Sequence, residues 1–212
     1  MKNLLIFLLF PVILYGQSEE PQFFSGGVVF SMVASQIDGD YNIGYHKISP
    51  SFGVYTDYNY WKKLSFRSGI FYMPKGARSG SKYNFFATRF YYAEVPFIAT
   101  YYFNSRFSAS LGVVFDYLFS GYYYDGTSKV SYKQLNIRNM DYAHYWSFNI
   151  KLNDRYNLRF VQNYSLIPIT KSLNRTCWYN NMFFYWMFKN VPPNACWWNN
   201  VLKVSLEISL FK

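Results

Sequence analysis

Catalysis by this chain would have to draw on two histidines, His46 and His144, and two cysteines, Cys177 and Cys196. The strict spacings that make such residues reactive are missing. There is no Gly-x-Ser-x-Gly elbow to present a nucleophile, no His-Glu-x-x-His and no paired Cys-His ligand set. Asp38-Gly39-Asp40 begins like a calcium loop but lacks the carboxylates that would complete it, so an acidic turn accounts for it. The residues therefore predict a non-enzymatic protein with no cofactor and no metal. The two cysteines have no Cys-x-x-Cys arrangement for redox work. In an oxidising compartment they would pair, and a Cys177–Cys196 disulfide closing 18 intervening residues would remove about 3 kcal/mol of chain entropy from the open state.

The cysteines bracket an aromatic run. Trp178, Tyr179, Phe183, Phe184, Tyr185, Trp186, Phe188, Trp197 and Trp198 lie between or beside them. Left exposed, they would form the kind of apolar patch that marks a docking surface, and Trp and Tyr are the residues that dominate such surfaces. One reading is a stapled loop that binds a partner protein or a glycan. The other is a loop folded over the end of the molecule or against lipid.

The elements that would position these residues follow from composition and spacing. Of 212 residues, 24% are aromatic and only 15% are charged, with a formal net charge of +10. That charge content is far below a typical soluble surface, and the 51% hydrophobic content excludes disorder. Residues 1–16 hold Lys2, an apolar run Leu4–Leu14 broken by Pro11, and a small Gly16. This predicts a secretory signal peptide, with residues 17–212 as one mature domain. No later stretch is long and apolar enough for a transmembrane helix.

From Phe23 onward eight segments alternate apolar and polar: 23–34, 47–58, 63–74, 90–103, 106–119, 141–152, 156–167 and 200–211. Alternation with period two predicts strands whose two faces meet different surroundings. One face collects Phe107, Ala109, Leu111, Val113, Phe115 and Tyr117. The other faces place Lys47, Asp57, Lys63, Arg67, Glu94, Arg106, Asp116, Asp141, Lys151, Arg159, Lys203 and Glu207 together. The connections run 12, 4, 15, 2, 21, 3 and 32 residues, strictly alternating long and short. That segregation, with aromatic residues at both ends of the segments, predicts an all-β, eight-stranded antiparallel up-and-down transmembrane barrel with long loops outside the cell. In so narrow a barrel the inward charges predict a paired network that fills the lumen rather than a pore.

Ser35-Gln36-Ile37-Asp38-Gly39-Asp40, Gly44-Tyr45-His46-Lys47, Phe52-Gly53, Tyr72-Met73-Pro74-Lys75-Gly76-Ala77 and Ala93-Glu94-Val95-Pro96-Phe97 together resemble the PorT-like outer-membrane β-barrel family of Bacteroidota-type bacteria. The likeness covers roughly residues 26–121; the later half matches in pattern only. Where the family has Gln-Lys-Gly after its third strand, this chain has Pro74-Lys75-Gly76. The resemblance implies an eight-stranded barrel in the outer membrane. Through the member that names the family it also suggests an accessory role in type IX protein secretion.

Charge divides along the same lines. The second long connection holds Lys75, Arg78, Lys82 and Arg89 without an acid, which predicts contact with lipopolysaccharide phosphates. The expected partners are therefore outer-membrane lipid, lipopolysaccharide and an envelope protein complex, and not nucleic acid. The expected role is a scaffold presenting loops. The alternatives are a secretion factor, a barrel-embedded enzyme or a small-solute channel.

Overall fold

The computed structural model describes residues 23–40, 44–79, 86–171 and 196–211. Among them run β1 (Phe24–Asp38), β2 (Lys47–Trp61), β3 (Leu64–Arg78), β4 (Ala87–Tyr102), β5 (Phe107–Tyr124), β6 (Lys129–Ser131), β7 (Met140–Lys151), β8 (Tyr156–Ser165) and β9 (Trp198–Phe211). β1 pairs antiparallel with both β2 and β9, and β4 pairs with β5, so eight strands close on themselves. β6 is a short ninth strand that extends β5 at Tyr122–Tyr124 without entering the ring. Closure leaves no sheet edge, the condition for crossing a hydrocarbon layer with strands.

The chain makes these strands because β-branched and aromatic residues alternate with small or polar ones at the pleat's own period. On β5, Ser108, Ser110, Val114, Asp116 and Leu118 are buried, whereas Phe107, Leu111, Val113, Phe115, Tyr117 and Phe119 are exposed. A soluble protein would reverse this, so the outer face is built for lipid. The 12 residues of β7, at about 3.3 Å each and a tilt of about 40°, rise about 30 Å. That is enough for a hydrocarbon band and both rims.

Three tight turns join strands at one end. Asn104 Oδ1 accepts from the amides of Arg106 and Phe107 at 2.8 and 2.9 Å. Asn153 Oδ1 does the same for Arg155 and Tyr156. A short side chain thus stands in for a backbone acceptor and reverses the chain. Aromatic rings gather at both rims. Tyr58, Tyr60 and Phe66 cluster at the short-turn end, and Tyr72, Tyr91 and Phe119 at the long-loop end.

Every expected segment is a strand, but several run further at the long-loop end. β1 reaches Asp38, β3 reaches Arg78, β5 reaches Tyr124, and β4 and β9 begin earlier, at Ala87 and Trp198. Beyond the rim β3 and β4 stay paired through Arg78 and Ala87. Pro74 does not end β3; it lies within the ladder opposite Tyr91. Gly76 follows with φ +134°, and a Cβ there would stand 2.1 Å from the carbonyl oxygen of Thr88. Glycine is what allows β3 and β4 to approach at this bend. Residues 1–16, expected to be a signal peptide, lie outside the described residues.

Candidate functional site

The interior is organised in layers, set by which inward positions follow one another along each strand. Nearest the short turns, Asp57 on β2 faces Arg67 on β3 in register. Arg67 Nε and Nη2 donate to Asp57 Oδ1 and Oδ2 at 2.7 and 2.8 Å, and Nη1 donates to Glu207 on β9. Arg67 also lies 3.8 Å above the centroid of the Tyr55 ring. Arg159 Nε stands 2.8 Å from Glu207 Oε1 without a hydrogen aligned on it. Its Nη1 donates to Ser110 Oγ and Tyr145 Oη. Two guanidiniums thus hold two carboxylates, a planar bidentate geometry that lysine could not copy.

Above this lies an apolar layer of Ile98, Val114, Ala143, Tyr145 and Val161. The next inward positions on β5 and β7 are Asp116 and Asp141. Lys75 Nζ from β3 reaches Asp116 Oδ2 at 2.6 Å and Asp141 Oδ2 at 3.4 Å. Asn199 donates to Asp141 at 2.8 Å and to Tyr92 Oη at 3.3 Å. Lys203 and Asn163 both donate to Glu94, at 3.3 Å. Lys47, also buried, donates to Ser49 Oγ and the Pro74 carbonyl.

Among the described residues the buried charges are Lys47, Arg67, Lys75, Arg159 and Lys203 against Asp57, Glu94, Asp116, Asp141 and Glu207, five of each sign. Isolated charges would be very costly in so enclosed a space, and balanced, hydrogen-bonded ones are tolerable.

A second apolar layer closes the long-loop end. Val33, Ile37, Met73, Ala77, Phe90, Tyr92, Leu118 and Val201 come from the strands, and Ile137 and Ile169 from the loops. Ile137 bridges to Thr170 beside Asn136, whose φ of 54° turns the loop inward. Ile137 and Ile169 are 2% and 1% exposed. Among the described residues this layer lies buried above the ion pairs. At the opposite end a polar cavity of about 340 Å³ remains, lined by Arg67, Arg106, Asn149, Lys151, Arg159 and Glu207 among others.

Several expected sites move. Lys63 is exposed in the β2–β3 turn, because β3 begins one residue later at Leu64. Arg106 likewise sits exposed in the β4–β5 turn, at the mouth of the polar cavity. Lys151 is half-exposed and pairs with Asp154 at 2.7 Å, outside the network. Lys75 was expected to meet lipopolysaccharide, but it is 0% exposed and belongs to the lumen, since β3 continues through it. Trp198 was expected on a docking loop. It is the first residue of β9 and is buried with Tyr164 and Cys196. Trp197 packs against the upper apolar layer. Arg78 and Arg89 are exposed on the strand extensions. Lys82, Cys177, Trp178, Tyr179, Phe183, Phe184, Tyr185, Trp186 and Phe188 lie outside the described residues.

His46 is exposed. His144 is on the outer face, stacked on Tyr164 with centroids 5.9 Å apart. Among the described residues no three His, Cys, Asp or Glu side chains converge as a metal site requires. The apolar plug was missed because Ile137 and Ile169 are single residues in loops, without a period to betray them.

No family model matches the chain, and no curated protein matches it in sequence. Among solved structures it is similar to Ail, the attachment invasion locus protein of Yersinia pestis, at 9% identity, with 89% of this chain and 100% of that one covered and a TM-score of 0.49. Neisserial surface protein A is similar at 9% identity, 88% and 97% coverage and a TM-score of 0.43. The N-terminal β-barrel domain of Pseudomonas aeruginosa OprF follows at 8% identity, 88% and 98% coverage and 0.38.

Proposed function

We propose that the chain is a non-enzymatic outer-membrane barrel whose lumen is sealed and whose work is done at its external end, as a scaffold for an envelope partner. The long loops face outward and the short turns face the periplasm. What carries the reading is the plug. Among the described residues the Ile137–Ile169 layer stands over a charge-balanced network, a buried plug across the way a solute would take. With the upper interior spent on stability, the binding surfaces left at the external end are the outer wall and the long loops.

Two elements at that end complete the proposal. Arg78 and Arg89 stand just above the Tyr72–Tyr91–Phe119 girdle, where cations suit the phosphates of lipopolysaccharide. A Cys177–Cys196 disulfide would fix the base of the aromatic loop to the start of β9, where Cys196 is buried beside Trp198. Gentle purification of the native protein tests the scaffold reading. A stoichiometric envelope protein that is lost on replacing Cys177 by Ser supports a docking loop; a barrel that always purifies alone contradicts it. Loss of protein secretion on deletion, with no stable partner, would favour the secretion-factor alternative instead.

A further inference from the structure

On its outer wall, among apolar residues, the barrel carries one side-chain amide between β7 and β9. Gln162 on β8 faces outward, opposite Leu202 on β9 and Trp146 on β7. Its Oε1 accepts from the Trp146 indole, and His144 Nε2 stands 3.2 Å from the same oxygen. An indole nitrogen only donates, so this contact fixes the amide's orientation: oxygen toward Trp146, nitrogen away. The His144 bond then requires the hydrogen on Nε2. Among the described residues nothing accepts from Gln162 Nε2. A glutamine amide beside hydrocarbon has no water to turn to, and unpaired polar groups at such depth mark sites of function.

Beside this amide the wall is hollow. The small side chain of Ala34 lies between Ile48 and Leu202 in one outward row, and Phe160 flanks them. They line an open apolar groove of about 370 Å³. Tyr164 is one outward position nearer the long loops than Gln162. In the same row Asn200 lies opposite Tyr164 and Gln36 opposite Asn200, and with Asp38 and Tyr45 they form a polar rim. The amide therefore sits about 7 Å below that rim along the strand, opposite Leu202, which lines the long-loop side of the groove.

We propose that this groove holds one acyl chain of an outer-leaflet membrane lipid, with Gln162 Nε2 donating to the ester or amide carbonyl that heads the chain. An acylated lipid is the ligand that presents an acceptor directly above a long apolar tail, in the order the wall presents a donor above a groove. The proposal rests on the outer-membrane reading given above.

The test uses the full-length barrel in detergent, titrated with palmitoyl-oleoyl phosphatidylethanolamine and read by native mass spectrometry. One lipid per barrel is expected to bind in preference to the rest. The diether analogue, which has no carbonyls, and the Gln162→Leu variant should each bind about tenfold more weakly, the loss of one hydrogen bond. Ala34→Phe, which fills the groove from the lipid side, should remove the preferred site. Equal binding of ester and ether lipids by the unaltered protein overturns the proposal. So does a lipid retained by Ala34→Phe, or a dimer that Ala34→Phe dissociates, since then a second copy fills the groove. Each sample is also run on gels with and without boiling. Loss of heat-dependent migration in the unaltered protein would sink the barrel reading itself, whereas a heat-modifiable barrel without lipid preference sinks only this site.

Discussion

Asp57 on β2 and Arg67 on β3 sit directly opposite each other and are joined by two parallel hydrogen bonds, at 2.7 and 2.8 Å, inside a barrel whose outer wall faces lipid. The pair ties neighbouring strands, and through Glu207 it reaches β9 on the other side of β1. Removing one partner leaves a buried charge unmet. Arg67→Met should therefore destabilise the folded barrel by roughly 3–5 kcal/mol. The double change Arg67→Met with Asp57→Leu should cost less than the single one. Urea unfolding from lipid vesicles, followed by tryptophan fluorescence, measures both; a double variant as weak as the single would contradict the pairing.

Lys75 gives a sharper test of what lies inside. Its ammonium is enclosed with Asp116 and Asp141, while Lys62 and Lys63 are exposed in a turn. Brief amine acetylation of the folded protein, mapped by peptide mass spectrometry, should modify Lys62 and Lys63 and spare Lys75 until the barrel is unfolded. Labelling of Lys75 at the same rate would return it to the surface.

Much of this was readable beforehand, for a physical reason. A barrel in lipid has two unlike faces along its whole circumference, so alternation survives in the sequence, and Asp57, Arg67, Asp116, Arg159, Lys203 and Glu207 follow from parity alone. Legibility failed where parity no longer had a contrast to act on. Toward the long-loop end Tyr122-Tyr123-Tyr124 and Lys75-Gly76-Ala77 show no alternation, yet pairing with β4 and β6 keeps β5 extended, and pairing with β4 extends β3. Following the inward series Arg67, Gly69, Phe71, Met73 past Pro74 would have placed Lys75 correctly. The expected segment ended at Pro74, but a strand tolerates proline where its missing N–H is not called on. The plug and the Gln162–Trp146–His144 contact are products of tertiary register, which a single chain's pattern does not encode.

Asp125 closes the turn after β5. Its Oδ1 accepts from the amides of Thr127 and Ser128 at 2.9 and 2.7 Å, and their hydroxyls donate to the same carboxylate. These bonds favour the charged form and hold the carboxyl well below its ordinary value of 3.8. A depressed folded value means the support is complete above the unfolded value and is lost as pH falls through the folded one. Amide exchange at Thr127 and Ser128 should stay slow at pH 3.8 and quicken only in stronger acid. A carboxyl titration midpoint at or above 3.8 would contradict the turn geometry.

The proposed Cys177–Cys196 disulfide predicts a redox-dependent mass. Alkylation of the denatured, unreduced protein should add nothing, and prior reduction should let both cysteines react. Two modified cysteines without reduction would remove the staple from the account.

The central claim is a barrel that crosses the membrane and conducts nothing. Heat-modifiable protein, inserted into planar bilayers and held under voltage, measures it directly. No discrete current steps are expected from the unaltered chain. Regular steps from the unaltered, fully folded protein would contradict it, because they would require an open path through the layer that Ile137 and Ile169 close.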